Sequence, residues 1–238
     1  MGGYRSIDTN PLLIEDWLPI QELGIEARRE NSTGQHPPPN RLHVWWARRP
    51  LVVSRAAVLA SLLPAWRPDW PERLRQRFPT REAYHAWFRW LLGIHGDPVA
   101  ARARIAEADA RGERLAAGGF GYDRAFTFSP PEEELAALAH LLAEHWQGDY
   151  VIMLDPTAGG GSIPLEALRL GLTVYANELN PVAALILAAT LDYPVRFGEE
   201  LADDVKEWGN RLIGRLEHAL KAVYPSDPNG LVHAYLWA

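Results

Sequence analysis

The stretch "VIMLDPTAGGGSIPLEALRLGLTVYANELN", residues 151–180, constrains this chain more than any other. "YVIMLD" is a short apolar run suited to a buried parallel strand. It breaks at an Asp-Pro corner and three consecutive glycines, and "SIPLEALRL" then resumes with helical spacing and a stop at Gly171. "LTVYAN" reads as a second strand, and "NPVAALILAATL" as a second helix with Asn180 as N-cap and Pro181 in its first turn. Strand, turn, helix, strand, turn, helix predicts an α/β fold with a doubly wound parallel sheet.

In such sheets a ligand sits beyond the carboxyl ends of the strands, where a turn feeds a helix with free N–H groups. Gly159, Gly160 and Gly161 lie at that turn, and without Cβ atoms they let a ligand approach the main chain. A plain flexible turn is the alternative for three glycines on their own. Asp155, ending the first strand, puts a carboxylate where a phosphate would be repelled and an amino group held. The spacing also lacks the G-x-G-x-x-G of dinucleotide folds and the Gly-Lys-Ser/Thr of a P-loop. Glu178 ends the second strand, where an acid can accept from ribose hydroxyls. A ribose at one end, a cationic amine at the other and no phosphate describe S-adenosylmethionine.

On those residues, "LDPTAGGGSIPLEALRLG" followed by "VYANELNPVA" resembles the first two cofactor motifs of class I S-adenosylmethionine-dependent methyltransferases, in the Asp-Pro form of enzymes that methylate nucleic-acid amines. The segment "LHVWWARRPLVVSRAAV" narrows the resemblance to adenine-specific DNA methylases that contain a zinc ribbon, and "IEDWLPIQELGIEARRE" is similar to the opening of their phage-defence-associated subgroup. The resemblance covers residues 12–62 and 150–238. It implies a Rossmann-like cofactor domain that binds S-adenosylmethionine through Asp155, Pro156, Thr157, Ala158, Gly159, Gly160 and Gly161, with Glu178, Leu179 and Asn180 from the second strand's end. It further implies that His43, Trp45, Trp46, Arg48 and Arg49, ahead of Pro50, close over the methionine end of the cofactor. From the residues alone, the two tryptophans could equally anchor an arm to the core, with the two arginines exposed.

The remainder of the chain supplies the setting. Of 238 residues, 47% are hydrophobic, ample for a core. The net charge of −6 argues against a surface coated for unspecific nucleic-acid binding but leaves room for a local basic patch. Arginine far outnumbers lysine, which suits phosphate and carboxylate forks or a GC-rich genome. With no cysteine, disulfides, thiolate catalysis and cysteine-ligated zinc are excluded within these residues, and no metal site is expected. The N-terminus lacks a signal-peptide pattern and no run reaches the ~18 apolar residues of a membrane span, so a cytoplasmic protein without membrane contact is expected.

Three regions are expected. Residues 1–63 hold an arm, with the prolines of "QHPPPN" opposing helix, and then a helix that starts near Pro50, carries Leu51, Val52, Arg55, Ala56, Leu59 and Leu62, and stops at Pro64. Residues 64–125 read as a helical insert. Residues 126–238 read as a partial S-adenosylmethionine-binding domain. It opens with a helix capped by Ser129, with Pro130 in first position and an apolar face of Leu135, Leu138, Leu141 and Leu142. It ends with a long helix interrupted by two glycines and a possible third strand, "GLVHAYLWA".

Methylating an exocyclic amine calls for an acceptor loop of the form Asp/Asn/Ser-Pro-Pro-aromatic. "SPPE" at Ser129–Glu132 has Glu132 in place of the aromatic, and "PPPN" at 37–40 has the wrong order. No catalytic residue is therefore assigned. The expectation is the N-terminal, cofactor-binding part of an adenine-specific DNA methyltransferase, inactive without a complementary C-terminal half, with DNA bound through the complete enzyme. A noncatalytic DNA- or partner-binding subunit and a small RNA or protein methyltransferase are the alternatives.

Overall fold

The computed structural model describes residues 11–32, 36–148 and 151–220 and is a mixed α/β protein rich in helix. Two compact units divide it, residues 1–191 and 192–238. The first unit runs α1 (Leu13–Asp16), α2 (Ile20–Asn31), α3 (Pro38–Leu42), α4 (Leu51–Ala60), α5 (Glu72–Arg77), α6 (Arg81–Leu91), α7 (Pro98–Ala110), α8 (Glu132–His145), β1 (Ile152–Asp155), α9 (Ser162–Arg169), β2 (Thr173–Ala176) and α10 (Pro181–Leu187). The second holds α11 (Tyr193–Phe197) and α12 (Glu200–Leu220).

β1 and β2 pair in parallel, Ile152 with Thr173 through Asp155 with Ala176. Among the described residues these are the two strands of the one sheet, and the third candidate, at 230–238, lies outside them. Residues alternate across a strand. Met153 and Val174 pack toward the core, whereas Ile152, Leu154 and Tyr175 are exposed on the other face.

The core gathers α4, α6, α8 and α9. α6 presents Tyr84, Phe88 and Leu91, one helical face at i, i+4 and i+7, and all three are fully buried. α8 contributes Leu138, Leu141 and Leu142 as its spacing predicts. The supposed arm also reaches inside: Leu13 and Leu23 join the core, and Leu13 N donates to Leu63 O at 2.8 Å.

Several expected boundaries move for local reasons. α3 is a helical turn beginning at Pro38, despite the prolines, because the first positions of a helix need no N–H partner and tolerate proline's fixed φ. α4 begins after Pro50 as expected but ends at Ala60, ahead of Leu62 and Pro64. α8 starts at Glu132 with Pro131 as N-cap; Ser129 is not its cap, and its hydroxyl instead accepts from Arg169 at 2.9 Å. Pro130 precedes another proline, which disfavours helical backbone at Pro130 itself.

In the second unit, α12 is continuous through Gly209 and Gly214, since glycine weakens a helix interior by only about 1 kcal/mol. Val205, Trp208, Leu212, Ile213 and Leu216 are exposed along it. No helix among the described residues is long and apolar enough to cross a membrane.

Candidate functional site

At the carboxyl ends of β1 and β2 the Asp-Pro-glycine loop folds against the end of β2. Asn177 N donates to Asp155 O at 2.9 Å, and Ala158 N donates to Asn177 O at 3.0 Å. The Asn177 amide Nδ2 donates to Pro156 O at 3.1 Å. Asp155 Oδ1 accepts from Thr157 N at 3.2 Å, which holds the carboxylate at the mouth of the loop.

Glu178 joins the two halves of the site. Its Oε2 accepts from Gly159 N at 2.7 Å, and its Oε1 accepts from Leu179 N at 2.8 Å and Asn180 N at 3.2 Å. Three backbone donors favour the ionised form, and together they hold its carboxyl below the ordinary glutamate value, Asn180 contributing most. A carboxylate offers about four acceptor positions, so these bonds leave roughly one for a ligand hydroxyl. Asn180 Oδ1 caps α10 through Val182 N and Ala183 N at 2.9 and 3.3 Å, and Leu179 is 93% exposed.

The three glycines have separate reasons. Gly161 has φ +76° as the N-cap of α9, and a Cβ there would lie 2.6 Å from Leu187 Cδ2. Gly159 and Gly160 face Trp45: a Cβ on Gly159 would lie 2.9 Å from the indole Nε1, and one on Gly160 3.0 Å from three Trp45 carbons. The space given up by these side chains is thus shared with the protein's own tryptophan and leucine. Beyond it, the N–H groups of Gly160, Ser162 and Ile163 donate to nothing among the described residues, leaving the N-terminus of α9 with unsatisfied donors.

The Trp/Arg segment divides. Trp45 meets the glycine loop. Arg48 does not: its guanidinium pairs with Glu30 and donates to Asn31 Oδ1 at 3.0 Å, both on α2. Glu30, fully buried, also accepts from Leu51 N at 2.8 Å and Val52 N at 3.4 Å, so a side chain from α2 caps α4. Trp46 is 92% exposed, and His43 and Arg49 are also exposed.

One cluster behind the loop was not read from the sequence as a unit. Arg55 on α4 and Glu166 on α9 are both fully buried, with Nε to Oε2 at 2.5 Å. Arg55 Nη2 also donates to Phe128 O at 2.8 Å, and Glu166 Oε1 accepts from Arg169 at 2.7 Å. Burial pushes the Arg55 guanidinium below its ordinary value, against the attraction of Glu166. The signal was present: an arginine on an otherwise apolar helical face needs a buried acid.

Comparison with known proteins adds one match. A family described as a protein of unknown function (DUF1156) matches residues 17–90, which include the Trp/Arg segment and α2 through most of α6 but not the glycine loop. No curated protein and no solved structure matches the chain.

Proposed function

We propose that this chain is the S-adenosylmethionine-binding part of an adenine-specific DNA methyltransferase. Its Rossmann-like element would run from β1 to α10, and transfer of the methyl group would require further groups that hold the acceptor amine. The observation that carries this reading is the hydrogen bond from Gly159 N to Glu178 Oε2, which joins a glycine loop and an acidic strand end at the carboxyl edge of two parallel strands.

The chemistry of the donor set fits the cofactor. The open amides at the start of α9 suit its carboxylate, Asp155 suits its ammonium, the remaining acceptor position of Glu178 suits a ribose hydroxyl, and exposed Leu179 offers an apolar face to the adenine. The family match over residues 17–90 is consistent with the resemblance in the Trp/Arg segment but names no activity.

Isothermal titration with S-adenosylmethionine tests the assignment. Binding by the wild type that is lost in Asp155→Ala and in Glu178→Ala supports it; binding that survives both substitutions together overturns it.

A second reading, a noncatalytic subunit on a methyltransferase-like scaffold, draws on Trp45 and the three amides held by Glu178, which give the same residues roles within the fold. Salt-dependent DNA binding without any cofactor binding distinguishes it.

A further inference from the structure

We propose that the turn joining α3 to α4 is a stacking platform for a single-stranded nucleic acid, with Trp46 receiving a base and Arg41 and Arg49 meeting the phosphates on either side. The proposal rests on the nucleic-acid side of the reading above and names the residues that would contact the strand.

Trp46 is the observation that needs explaining. An indole is one of the largest apolar surfaces a residue carries, and it is ordinarily covered. Here it is 92% exposed, against 64% for Trp208. A mobile tail is not the cause, because the residues on both sides are fastened. Trp45 packs on Gly159 and Gly160, Arg48 N donates to Trp45 O at 3.2 Å, and the Arg48 guanidinium is anchored on Glu30 and Asn31. The ring is exposed on a turn whose neighbouring residues are anchored, and its faces are open to a flat partner.

Charge points to what that partner is. No aspartate or glutamate occurs from residue 31 to residue 68, in a protein whose net charge is −6. Of the arginines in that run, Arg48 and Arg55 are neutralised by Glu30 and Glu166, and Arg67 pairs with Asp69. Arg41 and Arg49 are exposed and make no ion pair among the described residues, and His43 is exposed between them. An exposed ring flanked in sequence by two available guanidiniums matches a π-face between phosphates. Every base offers such a face once it is out of a duplex, where stacking neighbours no longer hide it.

The test is fluorescence anisotropy of the 238-residue protein with a labelled single-stranded oligonucleotide, an abasic strand of the same length and the corresponding duplex, at low and moderate salt. The base-bearing single strand is expected to bind best. Trp46→Ala should weaken it about tenfold or more while leaving the abasic strand nearly unchanged, and Trp46→Phe should retain most of the binding. Arg41→Ala and Arg49→Ala should each weaken both strands and flatten the salt dependence.

Equal binding of the base-bearing strand by wild type and Trp46→Ala, or no binding of any strand at low salt, overturns the proposal. An acidic protein partner then becomes the occupant of the patch. Failure here is separable from failure of the cofactor assignment. Oligonucleotide binding needs no S-adenosylmethionine, and Asp155→Ala and Glu178→Ala, which test the cofactor site, should leave the strand bound.

Discussion

Arg55 and Glu166, 111 positions apart, form a fully buried ion pair that ties the helix after the Trp/Arg turn to the helix that starts at the glycine loop. Trp45, at the head of the first helix, meets Gly159 and Gly160, at the head of the second. The pair therefore fixes the spacing between two elements that meet at the candidate site.

Removing one member leaves a buried charge without its partner. Glu166→Gln or Arg55→Ala should cost about 3–5 kcal/mol in chemical denaturation, whereas replacing both with apolar residues of similar volume should recover most of that loss. A single substitution that shifts the denaturation midpoint no more than an exposed Arg-to-Ala control would contradict the burial of the pair.

The glycine loop makes a steric prediction. Gly171 has φ +79° with open space around a Cβ, whereas Gly161 has φ +76° and Leu187 Cδ2 at 2.6 Å. Gly171→Ala should cost about 1–2 kcal/mol from left-handed backbone alone. Gly161→Ala should cost a further 1–3 kcal/mol or so from overlap with Leu187. Equal losses in paired urea melts would show that Leu187 does not crowd the loop.

Glu178 links the loop to acid stability. Its carboxyl titrates below the ordinary value of 4.5, so the folded state holds the ionised form more tightly than the unfolded chain does. The stabilisation is complete above that ordinary value and is lost as pH falls from it through the folded-state value. Glu178→Gln should therefore show a smaller loss of urea midpoint than wild type between pH 5 and pH 3 (about the span of a shifted carboxylate). Parallel curves would remove the backbone donors as the cause.

His85 acts with the same sign at higher pH. Its ring stacks on Trp17 at 3.9 Å, and its Nε2 is buried with no hydrogen-bond partner among the described residues. Desolvation, aided by Arg81 and Arg89 and opposed by Asp16 and Glu82, lowers its value from 6.5. Below about 6.5 the unfolded chain binds the proton first, so stability falls as pH drops from there through the folded-state value. Thermal melts between pH 7.5 and 5 should show this loss in wild type and a smaller one in His85→Phe, within about the range over which histidine titrates.

Much of the local structure could be read directly. Apolar runs bounded by Asp155 and Asn177 became β1 and β2, and Asn180 capped α10 with the side chain its position implied. Start points were harder wherever two local preferences competed. Ser129 was a sound cap by type, but the tandem prolines after it delayed α8, and the hydroxyl accepted from Arg169 instead. Of the Trp/Arg segment, Trp45 is the residue that packs nearest to Gly159 and Gly160, while Arg48 is anchored on Glu30, partners that a local sequence pattern does not specify.

By itself the sequence determined the order of elements from β1 to α10, the glycine corner with its flanking acids, and the region short of acids around Trp46, because all of these follow from neighbouring residues and spacing. Tertiary structure decided which partners answered them: Glu166 for Arg55, Glu30 for Arg48 and for the start of α4, Trp45 for Gly159 and Gly160. Such pairings depend on how helices far apart in the chain pack. A buried charge or a missing Cβ shows in the sequence that something must be near, and packing alone selects what that is.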